Sequence, residues 1–322
     1  MKKLFKAGTI ITAAIIAGAL AGCGDSGSAA TTAAPAAETA PAQTEVPSEA
    51  AEETEAAEAA ADTADTGEPV HVKLGVCGTM TEEIWDSAID TLADEGIDLE
   101  IIEFSDYSMP NNALASGEID INQFQHQAFF NDEIKTHGYE LSPVGHSYII
   151  PLNLYSLKVS DPSELKDGDT VAIPNDVTNG GRALKVLEAA GLIKLKDDIP
   201  LSPTVDDIEE YLVDITIEEL QGSVIPAALQ DIDAAVINGN YVVDFGMSTD
   251  DAIFKDTSLT DENYWGLIVV RTEDTKDPAK LDIFEKIVEA YQSQGTIDIY
   301  NNRFGGYHVP VGWDRDLISQ YR

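Results

Sequence analysis

Three observations predict an α/β fold of two lobes. From residue 70 onward, apolar runs of strand length alternate with amphipathic runs of helical spacing. That region exceeds the usual single-domain length of roughly 100–150 residues, so two lobes are expected. The loops after the strand ends are rich in amides, and ligands of α/β sheets bind at the carboxyl ends of strands, often between lobes.

In chain order, VHVKLGV (70–76) reads as a buried strand, and EEIWDSAIDTLADEG (82–96) has helical spacing and ends at glycine. IDLEIIEF (97–104) is the next strand. LKDGDTVAIPND (165–176) gives a turn and a third strand. GGRALKVLEAAGLI (180–193) is a helix opened by Asn179 as N-cap and closed near Gly191. DAAVINGNYVV (233–243) and WGLIVVR (265–271) contain further strands, and PAKLDIFEKIVEAYQSQ (278–294) is an amphipathic helix. The alternation predicts largely parallel sheets.

The first residues address the chain. MKKLFKAG carries three lysines, and TIITAAIIAGALAG is an apolar run too short to span a membrane. Leu20-Ala21-Gly22-Cys23 resembles a bacterial lipobox, so residues 1–22 read as a lipoprotein signal and Cys23 as the lipidated first residue. Residues 23–69 read as an acidic tether: after Cys23 they contain no aromatic residue, no Lys or Arg, and eleven Asp or Glu. Such a segment lacks the apolar surface to offset its ordering entropy. The expected location is the extracytoplasmic face of the cell membrane, held by lipid.

Of the formal charge of −39, the signal carries +3 and the tether −11, which leaves −31 for the folded part. That field excludes a nucleic-acid partner. Once Cys23 is lipidated, Cys77 is the remaining cysteine, and in LGVCGTM it reads as a small buried thiol. The five histidines show no ligand spacing, so no metal and no cofactor is expected. Neither GxSxG, HExxH nor a phosphate loop occurs, which argues against an enzyme.

Two stretches carry the candidate site. In VAIPNDVTNGGRAL, Gly180 and Gly181 suggest close approach of a ligand to a helix start. Arg182 in the first turn suggests bidentate recognition of a carboxylate, against an alternative in which it pairs with an acidic neighbour. In INQFQHQAFF (121–130), rings beside His126 suit an apolar or thioether side chain, against an alternative in which the phenylalanines are core and the histidine ends a helix.

YSMPNNALASGEIDINQFQH (107–126) resembles the signature YxxPNxALxxGxIDxNxFQH of the NlpA-type, MetQ-like lipoproteins, methionine-binding components of ABC importers. The resemblance continues through 138–156, 165–197, 234–241 and 265–277. It implies a periplasmic-binding-protein-like (type II) fold, with lobe 1 formed by 70–157 and 266–322 and lobe 2 by 158–265. It also implies that Arg182 and Asn179 grip a carboxylate, that Asn238 meets the ligand's amino-acid backbone, and that Tyr107, Phe124 and His126 wall its thioether. The chain departs from the family's pattern at Phe129, commonly tyrosine, at Gly266, often asparagine, and in the early loop CGTMTEE. The role implied is capture of L-methionine or a close analogue and delivery to a permease driven by an ATPase. Other expectations are a receptor for a methionine dipeptide or methionine sulfoxide, with Gly266 giving room, or a surface adhesin or moonlighting lipoprotein with no transport role.

Overall fold

The computed structural model describes residues 68–322. The signal over 1–22, Cys23 and the tether as far as residue 67 lie outside the described residues. Among the described residues, no helix is long and apolar enough to cross a membrane.

Two five-stranded sheets organise the chain. In the first, strands run in the order Ile97–Phe104, Val70–Cys77, Ile121–Gln123, Leu267–Arg271 and Leu141–His146. In the second, the order is Thr216–Leu220, Thr170–Pro174, Ala234–Ile237, Asn153–Tyr155 and Ala252–Phe254. The near-continuous apolar runs of Thr170–Pro174 and Ala234–Ile237, and the buried second half of Val70–Cys77, explain their interior positions, since such stretches are buried on both faces.

The sheets are mixed rather than largely parallel. Leu267–Arg271 pairs antiparallel with both of its neighbours, and Asn153–Tyr155 does the same in the second sheet. Both strands arrive from the other sheet and not through a helical crossover, so the constraint that makes βαβ units parallel does not act on them. Asn153–Tyr155 already belongs to the second sheet, so the chain changes sheets before residue 153 and not at 157.

Helix boundaries also differ from the periodicity. The run over 82–96 is two helices, Thr79–Ile84 and Asp86–Asp94, joined at the fully buried Trp85, which packs 4.4 Å from the Tyr291 ring. The segment 233–243 holds one strand followed by the short helix Gly239–Asp244. The helix expected to open at Asn179 runs Val177–Ala189 and is capped by Asp176, whose carboxylate accepts from the Asn179 backbone N–H. Arg182 therefore lies in the second turn, where the helix dipole opposes a cation less.

Gly180 and Gly181 pack the helix instead of admitting a ligand. A Cβ at Gly180 would stand 2.7 Å from the Pro174 carbonyl oxygen, and one at Gly181 would stand 2.7 Å from Ser202 Cα. Pro278–Tyr291 lays Leu281, Phe284, Ile287 and Val288 onto the first sheet's core, and Val177–Ala189 lays Leu184 and Leu187 onto the second's. These two layers fix the strand ends that face each other.

Candidate ligand-binding cleft

A cleft of about 630 Å³, counting its open mouth, lies where the carboxyl ends of both sheets meet. Cys77, Gln123 and Phe124 reach it from the first sheet, and Asn179, Arg182, Asn238 and Asn240 from the second. All seven site residues expected from the sequence, Tyr107, Phe124, His126, Phe129, Asn179, Arg182 and Asn238, line this one cleft.

INQFQHQAFF divides into three parts. Ile121–Gln123 ends a strand, Phe124 to His126 turn the chain, and Gln127–His137 is a helix. Phe124 and Phe129 stand edge to face at 5.8 Å, and Tyr107 lies 6.0 Å and 6.1 Å from them, which makes a three-ring wall. Phe130 is plain core with Leu114, Ile119 and Leu267. Behind the wall the amides form a buried mesh. Gln125 and Asn111 exchange hydrogen bonds, and Asn122 donates to Asn111. A satisfied buried mesh of this kind rigidifies what it supports.

His126 caps its helix, its Nδ1 accepting from the Phe129 N–H at 3.1 Å. A backbone N–H is always a donor, so the neutral ring carries its proton on Nε2, which donates to Asn179 Oδ1 at 3.2 Å. Burial and the Arg182 charge push its pKa down to about 4, so the ring is neutral at pH 7.

Arg182 is 4 % exposed. Its Nη2 donates to Asp256 Oδ2 and to the Ile150 carbonyl at 3.0 Å, and its Nε to Ser258 Oγ at 3.3 Å. The Tyr264 ring faces the guanidinium at 4.5 Å. Burial raises the Asp256 carboxyl, but Arg182 and the donors of Ser258 and Leu152 outweigh it and hold the group ionised. Asp256 also ties two passages of the chain between the sheets, accepting from Leu152 N while its own N–H donates to Asn153 Oδ1. Arg182 is thus both paired with an acid and open to the cleft, which joins the two alternatives the sequence offered. Among the described residues, its Nη1 makes no hydrogen bond.

Gly266 lines the cleft and packs against the backbone behind it. Its N–H donates to Tyr148 O and its carbonyl accepts from Ser147 N, and a Cβ would stand 2.6 Å from Tyr148 O. The glycine lets this passage lie against Ser147 and Tyr148, and on its other side it bridges His126. Cys77 is buried, and burial pushes its thiol up to about 12, which removes it as a nucleophile.

The NlpA lipoprotein family matches residues 72–312. The D-methionine-binding lipoprotein MetQ of Escherichia coli is 40% identical over 253 residues, 77% of this chain and 91% of that one. This chain belongs to the NlpA lipoprotein family. A nutrient-binding protein from Burkholderia cenocepacia, solved bound to methionine, has 36% identity and a TM-score of 0.69 over 74% of this chain and 99% of its own. The substrate-binding protein of a methionine transporter from Streptococcus pneumoniae has 32% identity and a TM-score of 0.71, over 75% and 95%. The NlpA fold is therefore that of two-lobed substrate-binding proteins, and the chain is a binding protein rather than an enzyme. Among the described residues, no cluster of His, Cys, Asp or Glu is placed to hold a metal.

Sequence reasoning missed Asp176, Tyr264 and Asp256. Nothing local marks Asp256 and Tyr264, one acid and one ring among many. Asp176 was identifiable as a helix cap from NDVTN, but Asn179 is an equally good capping residue.

Proposed function

We propose that this NlpA lipoprotein captures methionine, as L-methionine or a close analogue, and delivers it to an ABC permease driven by an ATPase. It would do so from the extracytoplasmic face, anchored through a lipid on Cys23. The observation that carries the reading is that a buried guanidinium and three rings line one cleft. In this reading the ligand's carboxylate meets Arg182 Nη1, its ammonium meets Asn238, and its thioether lies against Tyr107, Phe124 and Phe129. Asn179 holds His126 and Asn238 in place. Arg182 is already half-neutralised by Asp256, which suits a zwitterion of no net charge better than a dianion.

Titration calorimetry with a panel of amino acids, both methionine enantiomers, methionine sulfoxide and a methionine dipeptide tests the reading. L-methionine should bind most tightly among the amino acids. An amino acid without a thioether binding about tenfold more tightly would overturn it. Arg182→Ala should remove about 3–5 kcal/mol of affinity or stability, because Asp256 is left buried without its partner. Unchanged affinity would take Arg182 out of the site. Cys23→Ala should move the protein from the membrane to the soluble fraction, and continued membrane retention would end the anchor assignment.

A further inference from the structure

Of the three rings in the wall of the cleft, Tyr107 alone bears a hydroxyl, because Phe124 and Phe129 carry no polar atom. That hydroxyl decides whether the wall can hydrogen-bond a ligand. It donates to Oδ1 of Asn240, on the helix Gly239–Asp244 that follows the second sheet's Ala234–Ile237 strand. Asn240 also lines the cleft and is 4 % exposed. The direction of the bond is fixed from behind. Asn240 Nδ2 donates to the Cys77 carbonyl at 3.4 Å, and a carbonyl only accepts, so Nδ2 faces Cys77 and Oδ1 faces Tyr107. The hydroxyl thus meets an acceptor, and its proton points at Asn240 instead of into the cleft. Turning that proton to a ligand would leave Asn240 Oδ1 buried without a donor, and turning the amide over would set Oδ1 against Cys77 O. Two other donors of the cleft are engaged as well, Gln123 Nε2 with Ser147 Oγ at 3.2 Å and His126 Nε2 with Asn179.

We propose that Asn240, by holding the Tyr107 proton, makes the wall an apolar surface that admits an unoxidised thioether and rejects its sulfoxide. A thioether sulfur is a weak acceptor and packs well on rings. A sulfoxide oxygen is a strong acceptor and would be buried there without a donor. Asn240 acts through Tyr107 and is a positioning residue. The inference rests on the methionine reading above and adds which oxidation state of that side chain the site takes.

The test is calorimetric titration of wild type, Asn240→Ala and the double variant Asn240→Ala with Tyr107→Phe. Each is titrated with L-methionine and with L-methionine sulfoxide, after its melting temperature has shown a folded chain. The wild type should bind methionine more tightly by roughly tenfold or more. In Asn240→Ala both affinities should fall with the lost link to Tyr107. The freed hydroxyl can now donate to the sulfoxide oxygen, so the ratio should shrink by roughly fivefold or more. In the double variant the hydroxyl is gone, and the ratio should return toward the wild-type value. Asn240→Val, also without an acceptor, takes the place of the alanine variant if that one does not fold. A merely structural Asn240 would weaken both ligands alike, and water entering the vacated space would narrow the ratio with or without the hydroxyl. A ratio unchanged in Asn240→Ala, or still narrowed in the double variant, therefore overturns this inference and leaves the methionine reading standing. Tighter binding of the sulfoxide by the wild type overturns it too. Binding of neither ligand overturns the methionine reading, and this inference with it.

Discussion

At the scale of single residues, the cleft is decided by which atoms are already in use. His126 has both nitrogens occupied, one by a helix N-terminus and one by an amide. His308 is buried among Tyr148, Tyr300 and Phe304, and neither of its nitrogens finds a partner among the described residues. Burial holds its pKa down to about 3, and burial with Arg182 holds that of His126 near 4. The unfolded chain takes up protons on both rings as pH falls through about 6.5, while the folded one does not. Stability should therefore drop between pH 6.5 and 4, visible as a falling melting temperature. In His308→Phe that acid limb should be flatter, because phenylalanine takes up no proton when the chain unfolds. An identical limb would show that His308 does not contribute to it.

Elements position these atoms through close backbone contacts that tolerate no side chain. The helix Val177–Ala189 rides on the strand Thr170–Pro174 at Gly180, and the strand Leu267–Arg271 is led in by Gly266. Gly180→Ala improves helix propensity but forces a Cβ against Pro174 O. The clash should win, with a net loss of about 1–3 kcal/mol in chemical denaturation. Gly266→Ala should lose a similar amount, and because it pushes against Ser147 and Tyr148, of which Tyr148 lines the cleft, it should also weaken ligand binding. A Gly266→Ala variant of normal stability and affinity would refute the close-approach account. Both glycines were visible in the sequence, but reading Gly180 as room for a ligand assigned it the wrong neighbour. Glycine reports that something comes close, and only the tertiary packing says that it is the protein's own backbone.

Across the whole molecule, the two sheets are joined over the cleft by polar links of modest strength. Asp244 accepts from Thr79 Oγ1 at 2.7 Å and from Met80 N at 3.3 Å, Gln221 donates to Asp106 at 2.7 Å, and the Tyr107 hydroxyl donates to Asn240. The Thr79–Asp244 and Gln221–Asp106 links are exposed, and such links favour a closed cleft without locking it, as a protein that must take up and release a ligand requires. Asp244→Ala should leave thermal stability nearly unchanged and speed ligand dissociation roughly two- to tenfold in stopped-flow measurements. Unaltered dissociation would show that closure does not depend on this link.

The sequence by itself determined the layers of the fold, because burial imposes periods of two and of 3.6 that can be read without partners. It also pointed to the loops that line the cleft, since those loops spend amides, rings and an arginine where turns need none. The tertiary structure alone decided the direction of each polar group. Arg182 meets Asp256 across 74 residues, and Asn179 meets Asn238 across 59. Hydrogen bonds are directional and bind one atom to one other, so a string of residue types cannot say which oxygen is taken and which is left for the ligand.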